Sequence, residues 1–173
     1  LAMRIPGLVF ILAPRHLNKA SRIADIARAK GIEWQYRTQL GESGAARSAP
    51  VVILDTIGEL RDVYSIASVV FCGASLVPFG GQNVLEAAAW AKPVLFGPSM
   101  EDFEEARILL ETAGGGICVK DEMELADRAV HVLMHPNEAR RLGRLAKRAV
   151  LSNQGAARRH AQVIAGLMPS IEP

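Results

Sequence analysis

Short apolar runs and longer amphipathic segments alternate along the chain. The apolar runs predict strands at 7–14, 32–38, 51–55, 68–73, 93–97 and 116–119. The runs at 7–14, 51–55 and 68–73 are expected to be buried, the first of them fully, whereas 32–38 alternates like a strand nearer an edge. The segments with helical spacing predict helices at 18–31, 59–67, 83–91, 102–113, 122–135, 137–150 and 156–167. Strands that alternate with helices are typical of βαβ units, so we expect a mostly parallel sheet covered by helices on both faces.

Composition is consistent with this α/β class. The chain has 173 residues, half of them hydrophobic, which is enough for one domain with a full core. Its net charge of +2 is too small to indicate nucleic-acid binding, and no apolar stretch approaches the length of a membrane span. Cys72 and Cys118 each lie in an apolar run, which predicts buried, reduced thiols and fits a cytosolic compartment.

In a parallel sheet, ligands bind in the loops that follow the carboxyl ends of the strands. Four such loops stand out here: "APRHLN" (13–18), "DTIGE" (55–59), "GASLVPFGGQN" (73–83) and "GPSMED" (97–102). Neither GxGxxG nor GxxxxGK[ST] occurs, so the dinucleotide-binding and P-loop fingerprints are both absent.

The loop 73–83 is longer than the roughly 2–6 residues usual for a strand-to-helix connection. Its small residues, Gly80 and Gly81 among them, are expected to leave backbone donors exposed. Asn83 and Glu86 have the spacing of an N-cap and its N3 partner, which is a structural explanation. The functional alternative is an anion site at a helix N-terminus, with a carboxylate that accepts from the two hydroxyls of a ribose. Neither interpretation excludes the other.

Two loops in the first third of the chain also carry candidate chemistry. Arg15 follows the first strand, where a guanidinium can grip phosphate or carboxylate, although a plain surface arginine is the alternative. Thr56 and Glu59 are spaced as a capping box. Gly58 is a poor helix former there, and a flat ligand lying against the backbone would explain its presence.

The sequence predicts neither a metal ion nor a cofactor. His131 and His135 are spaced i, i+4, but no Glu, Cys or third His is expected nearby to complete a site. The basic residues near the C-terminus indicate either a solvated face or a contact with an anionic lipid surface. These residues are Arg140, Arg141, Arg144, Lys147, Arg148, Arg158 and Arg159.

Taken in order, the loop motifs resemble the C-terminal domain of 3-deoxy-D-manno-octulosonic acid (Kdo) transferases. The resemblance rests on "APRH" (13–16), the long stretch 54–98 from "LDTIGEL" to "KPVLFGP", and "SNQGAARRH" (152–160). That family moves Kdo from CMP-Kdo onto lipid A precursor in Gram-negative bacteria. The resemblance implies a Rossmann-like domain over 1–173, with C-terminal helices at about 137–167, that forms the C-terminal half of a GT-B glycosyltransferase.

The resemblance also implies substrate-binding residues in the loops. Residues 14–15 would contact CMP, 57–59 would meet the cytosine end through backbone groups, and 83–86 would hold phosphate and ribose. Ser75 and neighbouring glycines would form the floor near the sugar phosphate. The implied residues are Pro14, Arg15, Ile57, Gly58, Glu59, Ser75, Gly81, Asn83, Val84, Leu85 and Glu86.

The chain departs from the family pattern in two ways. Gln82 and Val84 stand where many relatives have His and Pro. In addition, the family's catalytic base, a Glu, belongs to an N-terminal domain that this chain lacks, so we expect a fragment without a catalytic residue of its own.

The resemblance further implies a metal-independent, inverting transferase at the cytoplasmic face of the inner membrane, with this domain soluble and cytosolic. Its partners would be CMP-Kdo, the lipid A precursor (lipid IVA) through the full-length enzyme and an anionic membrane surface, but not nucleic acid. Two alternatives stay open: part of another nucleotide-sugar enzyme, such as a UDP-sugar transferase or epimerase, or a non-catalytic nucleotide-binding module.

Overall fold

The computed structural model of the chain describes residues 4–41, 46–154 and 163–164. The chain divides into two compact units, one within Leu1–Ala67 and the other within Ser68–Pro173. Each unit has a three-stranded parallel sheet. That the whole chain forms a single domain stays a prediction.

The first unit is built on a sheet with the strand order β1-β3-β2. Phe10 and Trp34 both lie opposite Val51, so the central strand has a parallel neighbour on each side. Short 3₁₀ turns at Leu17–Lys19 and Arg37–Leu40 lie beside these elements. The elements are β1 (Phe10–Leu12), α1 (Ala20–Ala29), β2 (Trp34–Tyr36), β3 (Val51–Ile53) and α2 (Leu60–Ile66).

Small residues on α1 let the helix lie close to the first sheet. Ala20 and Ala24, one helical turn apart, are buried with the fully buried Ile53 of β3. The predicted edge position of the strand at 32–38 is confirmed, since β2 is an outer strand of its sheet. The prediction that 7–14 is fully buried is wrong: the Phe10 side chain is 44% exposed, because β1 also has a strand on one side only.

The second unit has the strand order β4-β5-β6. All three residues of the central strand are fully buried. The prediction that 68–73 is buried is wrong for Phe71, which is 37% exposed on the outer strand β4. The elements are β4 (Val70–Cys72), α3 (Leu85–Ala89), β5 (Val94–Phe96), α4 (Glu104–Thr112), β6 (Gly116–Cys118), α5 (Glu122–Met134) and α6 (Pro136–Ser152), with a 3₁₀ turn at Glu101–Phe103.

The two long C-terminal helices of this unit have clear start signals. Asp121 caps α5, its side chain accepting a hydrogen bond of 2.7 Å from the backbone N–H of Glu124. Pro136 occupies the first turn of α6, where a missing N–H costs nothing. The buried face of α6 packs against α3, and a Cβ at Gly143 would lie 1.9 Å from the carbonyl oxygen of Ala91. Glycine therefore permits this close backbone approach.

The predicted fold class, parallel sheet flanked by helices, is confirmed. All six predicted strands are present in shortened form, and the helix expected at 83–91 spans only Leu85–Ala89. Most of the helix predicted at 156–167 lies outside the described residues. The prediction that both thiols are buried is wrong for Cys118, which lies exposed at the end of an outer strand. Among the described residues, no helix is long and apolar enough to cross a bilayer.

Candidate functional site

Two of the predicted site loops leave neighbouring strands of the first sheet at the same edge. The loop with Pro14 and Arg15 follows β1, and loop 55–59 follows β3. The ladder between these strands continues up to the loops, since the backbone N–H of Leu54 donates to the carbonyl oxygen of Leu12 at 2.8 Å. Pro14 is half-buried and Arg15 is exposed. The structure thus brings these two predicted segments to one edge of the sheet.

Loop 55–59 is held in place by side chains at both of its ends. Asp55 accepts hydrogen bonds from the backbone N–H of Thr38 at 3.0 Å and from its hydroxyl at 2.6 Å. Glu59 pairs with Arg37, with 2.9 Å between Oε1 and Nη2, and accepts a second bond from the Thr56 hydroxyl. These side chains therefore hold both ends of the loop.

The capping-box prediction for Thr56 and Glu59 is wrong. Helix α2 begins only at Leu60, and no side chain caps its first turn; the two side chains bond to each other. Gly58 has φ of +92°, outside the helical region, so the chain cannot be helical at that point. Beside it, the Ile57 side chain is 85% exposed. The loop thus presents an apolar side chain and open backbone to solvent.

In the second unit, Ser75 holds the start of loop 73–83. Its hydroxyl donates to the carbonyl oxygen of Cys72 at 2.6 Å and accepts from the backbone N–H of Gly97 at 2.8 Å. Its own carbonyl oxygen accepts from Ser99 N–H at 2.9 Å. Because Ser75 is fully buried, these bonds tie the end of β4 to the end of β5.

The two adjacent glycines of this loop serve backbone geometry and packing. Gly80 and Gly81 have φ of +75° and +80°, and a Cβ at Gly81 would lie 2.4 Å from the sulfur of Met100. Their N–H groups donate to the Ser99 hydroxyl and the Ala74 carbonyl oxygen at 3.2 and 3.0 Å. The expectation that these donors stay exposed is wrong, because loop 73–83 folds back on itself at Ala74 and packs against Ser99 of the loop after β5.

Asn83 connects loop 73–83 to α3 and orients the neighbouring acid. Its Oδ1 accepts from the backbone N–H of Leu85 at 3.0 Å, and its Nδ2 donates to Oε1 of Glu86 at 3.2 Å. The helix begins at Leu85 with Val84 at the N-cap position, so Asn83 lies one position before the observed N-cap yet still satisfies a first-turn donor.

Glu86 does not close the expected capping box, since it is bonded to the side-chain amide of Asn83. Its side chain is exposed at the start of α3. By contrast, Val84 is fully buried and Leu85 is half-buried. A ligand could therefore reach the Glu86 carboxylate directly, but residues 84 and 85 only through their backbone.

His131 on α5 has a nearby carboxylate, against expectation, and His135 directly follows the end of that helix. His131 Nε2 lies 2.8 Å from Oε2 of Glu138, and His135 Nδ1 lies 2.7 Å from the carbonyl oxygen of His131. The hydrogen bond to His131 lowers the pKa of Glu138. Within the part of the chain that the structure describes, no three His, Cys, Asp or Glu side chains are grouped to hold a metal ion.

Sequence reasoning missed three residues that shape the candidate site, namely Arg37, Thr38 and Asp55. Their contacts join segments far apart in the chain, so no local spacing reveals them. The only available signal was the position of Arg37 and Thr38 at the carboxyl end of a predicted strand.

The chain is similar in sequence to curated Kdo transferases. It is 31% identical over 160 residues to the 3-deoxy-D-manno-octulosonic acid transferase of Haemophilus influenzae, covering 92% of this chain and 37% of that protein. It is 30% identical over 127 residues to that of Aquifex aeolicus, covering 73% and 34%. The chain thus spans about a third of the length of these relatives. No family model matches it.

The structure is similar to a solved domain. The match is to the crystal structure of the C-terminal CMP-Kdo binding domain of WaaA from Acinetobacter baumannii. It has a TM-score of 0.76 and 26% sequence identity, and covers 83% of this chain and 74% of that one. By sequence and fold, the chain belongs to the Kdo transferase family and corresponds to the C-terminal domain of a GT-B glycosyltransferase.

Proposed function

We propose that this chain binds CMP-Kdo as the donor-binding part of a Kdo transferase. The observation that carries the proposal is the Glu86 carboxylate, which Asn83 orients at the exposed start of α3. It lies in a chain whose fold matches a domain described as CMP-Kdo binding. A carboxylate in this position can accept from the hydroxyls of a ribose, as acidic residues do in nucleotide folds.

The proposed contacts in the second unit are with phosphate and ribose. The first N–H groups of any helix have no intrahelical acceptor, so those of residues 83, 84 and 86 are suited to phosphate oxygens, whereas the N–H of Leu85 already donates to Asn83. Because α3 spans only Leu85–Ala89, we attribute this binding to the individual N–H groups more than to a helix dipole. Ser75 and Gly81 shape the loop from within, since the Ser75 hydroxyl and the Gly81 N–H are engaged in the chain.

The proposed contacts in the first unit are with the nucleotide base and its phosphate. Ile57 and Gly58 present an apolar surface and open backbone, which suits the flat face and edge of cytosine. The Glu59 side chain is already occupied by Arg37 and Thr56, so Glu59 is expected to contribute through its backbone. We propose that the half-buried Pro14 and the exposed Arg15 contact CMP.

The full-length protein is proposed to catalyse a direct, inverting displacement. An acceptor hydroxyl on the lipid A precursor, deprotonated by a carboxylate outside this chain, attacks the anomeric carbon of Kdo. The bond to the CMP phosphate breaks, and CMP leaves as an anion. In this proposal, backbone N–H groups at the start of α3 stabilise that charge without a metal ion.

Nucleotide titration tests the donor assignment. We expect the chain to bind CMP in preference to UMP, UDP and GDP when each is added in a calorimeter. A clear preference for UDP would instead favour a UDP-sugar transferase or epimerase, and absence of binding to all four would reject a nucleotide-binding function.

The basic face of α6 is proposed to contact the anionic surface of the inner membrane, on its cytoplasmic side. Its exposed cations are Arg140, Arg141, Arg144, Lys147 and Arg148; Arg158 and Arg159 lie outside the described residues. Each cation near such a surface contributes about 1 kcal/mol.

Vesicle sedimentation tests the membrane contact. We expect binding to vesicles that contain anionic lipid, weakened by salt and by the double substitution Arg144→Gln/Arg148→Gln. Zwitterionic vesicles are the control. Equal binding of the variant would show that the face is only solvated.

A further inference from the structure

Two consecutive residues, Arg37 and Thr38, hold the two ends of loop 55–59. Thr38 donates twice to Asp55 at the start of the loop, from its N–H at 3.0 Å and its hydroxyl at 2.6 Å. Arg37 pairs with Glu59 at the end of the loop, at 2.9 Å. All four residues belong to the first unit. The short 3₁₀ turn after β2 thus acts on both ends of the loop after β3.

Inside the loop, the Thr56 hydroxyl donates to Glu59, but residues 57 and 58 between them make few contacts. The side chain of Ile57 is 85% exposed, and a Cβ at Gly58 would meet nothing within 4 Å. Few buried contacts and a glycine are the features of a segment that opens easily. The side-chain bonds at its ends are therefore expected to decide how well the loop is ordered before a ligand arrives.

The exposure of the Arg37–Glu59 pair argues against a mainly stabilising role. The two side chains are 40% and 33% exposed. Ion pairs this open to water contribute little to folding stability, commonly less than about 1 kcal/mol. A loop that is already ordered in its bound shape, by contrast, loses little further conformational entropy when the ligand binds. The affinity is therefore higher.

We propose that Arg37 and Thr38 are positioning residues that hold loop 55–59 in the shape that receives the nucleotide. The inference rests on the proposed CMP-binding function. Arg37 acts through Glu59 and Thr38 acts through Asp55, and neither touches the ligand. Arg37 pairs with Glu59, and the exposed Ile57 and Gly58 lie between that residue and Asp55.

Removing the guanidinium tests the proposal. Arg37→Gln is expected to lower CMP affinity about 2- to 5-fold, the range that corresponds to losing an exposed ion pair. In the absence of nucleotide, hydrogen exchange of the amides of residues 56–59 should become faster, while the melting temperature changes little. Arg37→Lys, which keeps the charge, should restore slow exchange and most of the affinity. Thr38→Val should reproduce both effects through Asp55.

A matched variant and a double-mutant cycle give the controls. Arg28→Gln removes an ion pair in the same unit, with Asp25 on α1, and should leave CMP affinity unchanged. Because Arg37 acts through Glu59, Arg37→Gln/Glu59→Gln should bind CMP no more weakly than Glu59→Gln alone.

Three results would overturn the proposal. If wild type binds CMP and Arg37→Gln binds it equally well, the positioning role fails while the proposed function stands. If exchange in 56–59 accelerates without any loss of affinity, the loop shape does not matter for the nucleotide. If wild type does not bind CMP at all, the proposed function fails and the positioning role with it.

Discussion

At the scale of single residues, Glu86 combines a structural contact with an open acceptor. Its Oε1 receives the side-chain amide of Asn83, while the carboxylate as a whole is exposed. Asn83 in turn accepts from the N–H of Leu85, so one side chain both completes the start of α3 and aims the acid. Capping and ligand binding are therefore compatible functions of the same pair.

Glu86→Gln is expected to weaken CMP binding selectively. Glutamine keeps the size and can still accept from Asn83, so stability should fall by at most about 0.5 kcal/mol, the scale of exposed helix-end charge effects. Losing a charged acceptor for the ribose hydroxyls should cost about 1.5–3 kcal/mol of binding, roughly 10- to 150-fold.

Calorimetric titration and thermal melting distinguish these effects. Asn83→Ala is the comparison, expected to reduce both the melting temperature and the affinity. If Glu86→Gln binds CMP as tightly as wild type, Glu86 has only a structural role.

The two thiols are expected to differ in reactivity. Burial, reinforced by the charge of Glu86, raises the pKa of Cys72 to about 12, whereas Cys118 is exposed. Iodoacetamide at mildly alkaline pH should alkylate Cys118 in the native protein and reach Cys72 only after denaturation, as mass spectrometry of the peptides would show. Rapid native labelling of Cys72 would contradict its burial.

Because the pKa of Cys72 is raised by folding, the folding stability is expected to decrease as pH rises. The unfolded thiol loses its proton near about pH 8.5, whereas the folded thiol keeps it to about 12. The contribution of the Cys72 thiol to the free energy of unfolding is thus fully present below the pKa of the unfolded state. It is lost as pH rises towards the pKa of the folded state. We expect the free energy of unfolding to fall above pH 9, and less steeply in Cys72→Ala, in denaturant titrations at several pH values.

At the scale of secondary-structure elements, the contact between α3 and α6 depends on one glycine. Gly143→Ala should gain up to about 1 kcal/mol of helix propensity. It should lose more, about 1–3 kcal/mol, because the new Cβ would meet the carbonyl oxygen of Ala91, 1.9 Å away in the present packing. A net fall in melting temperature is the expected result.

Gly73→Ala is the control for the glycine substitution. A Cβ there meets nothing within 4 Å, so the melting temperature should barely change. Equal stability of Gly143→Ala and wild type would mean that the two helices can separate without cost.

The junction of α5 and α6 should respond to acid. Because the hydrogen bond to His131 lowers the pKa of Glu138, the folded state favours the ionised carboxylate. The contribution of the Glu138 carboxylate to the free energy of unfolding is therefore present above the ordinary glutamate pKa, about 4.3. It is lost as pH falls through the lower pKa of the folded state. Thermal melts should separate wild type from Glu138→Gln at pH 6 and bring them together at the lowest pH values. A constant difference across this range would contradict the assignment.

At the scale of the whole molecule, the chain spans only about a third of the Kdo transferases that it matches. In the proposed mechanism the catalytic carboxylate lies outside this chain. We therefore expect the purified chain to bind CMP weakly and to transfer nothing. An assay that follows Kdo from CMP-Kdo to lipid A precursor checks this, and measurable transfer would contradict it.

The sequence by itself determined the order of strands and helices and the loops where ligands are expected. Alternating buried runs and amphipathic segments have distinct periods, and glycine, proline and capping residues punctuate them locally. Asn83 and Glu86 could be paired from their spacing because their contact is local. The loop motifs were specific enough to indicate the family.

Only the tertiary structure decided which of these expectations had a physical basis. The Thr38–Asp55 and Arg37–Glu59 contacts join segments that are distant in sequence, so no local spacing predicts them. The N–H of Gly81 is satisfied because loop 73–83 folds back on itself, and the N–H of Gly80 is satisfied by the hydroxyl of Ser99. Both contacts depend on the tertiary fold. Likewise, the burial of a strand depends on which neighbours it acquires, and the exposure of Phe10 on β1 followed from its outer place in the sheet.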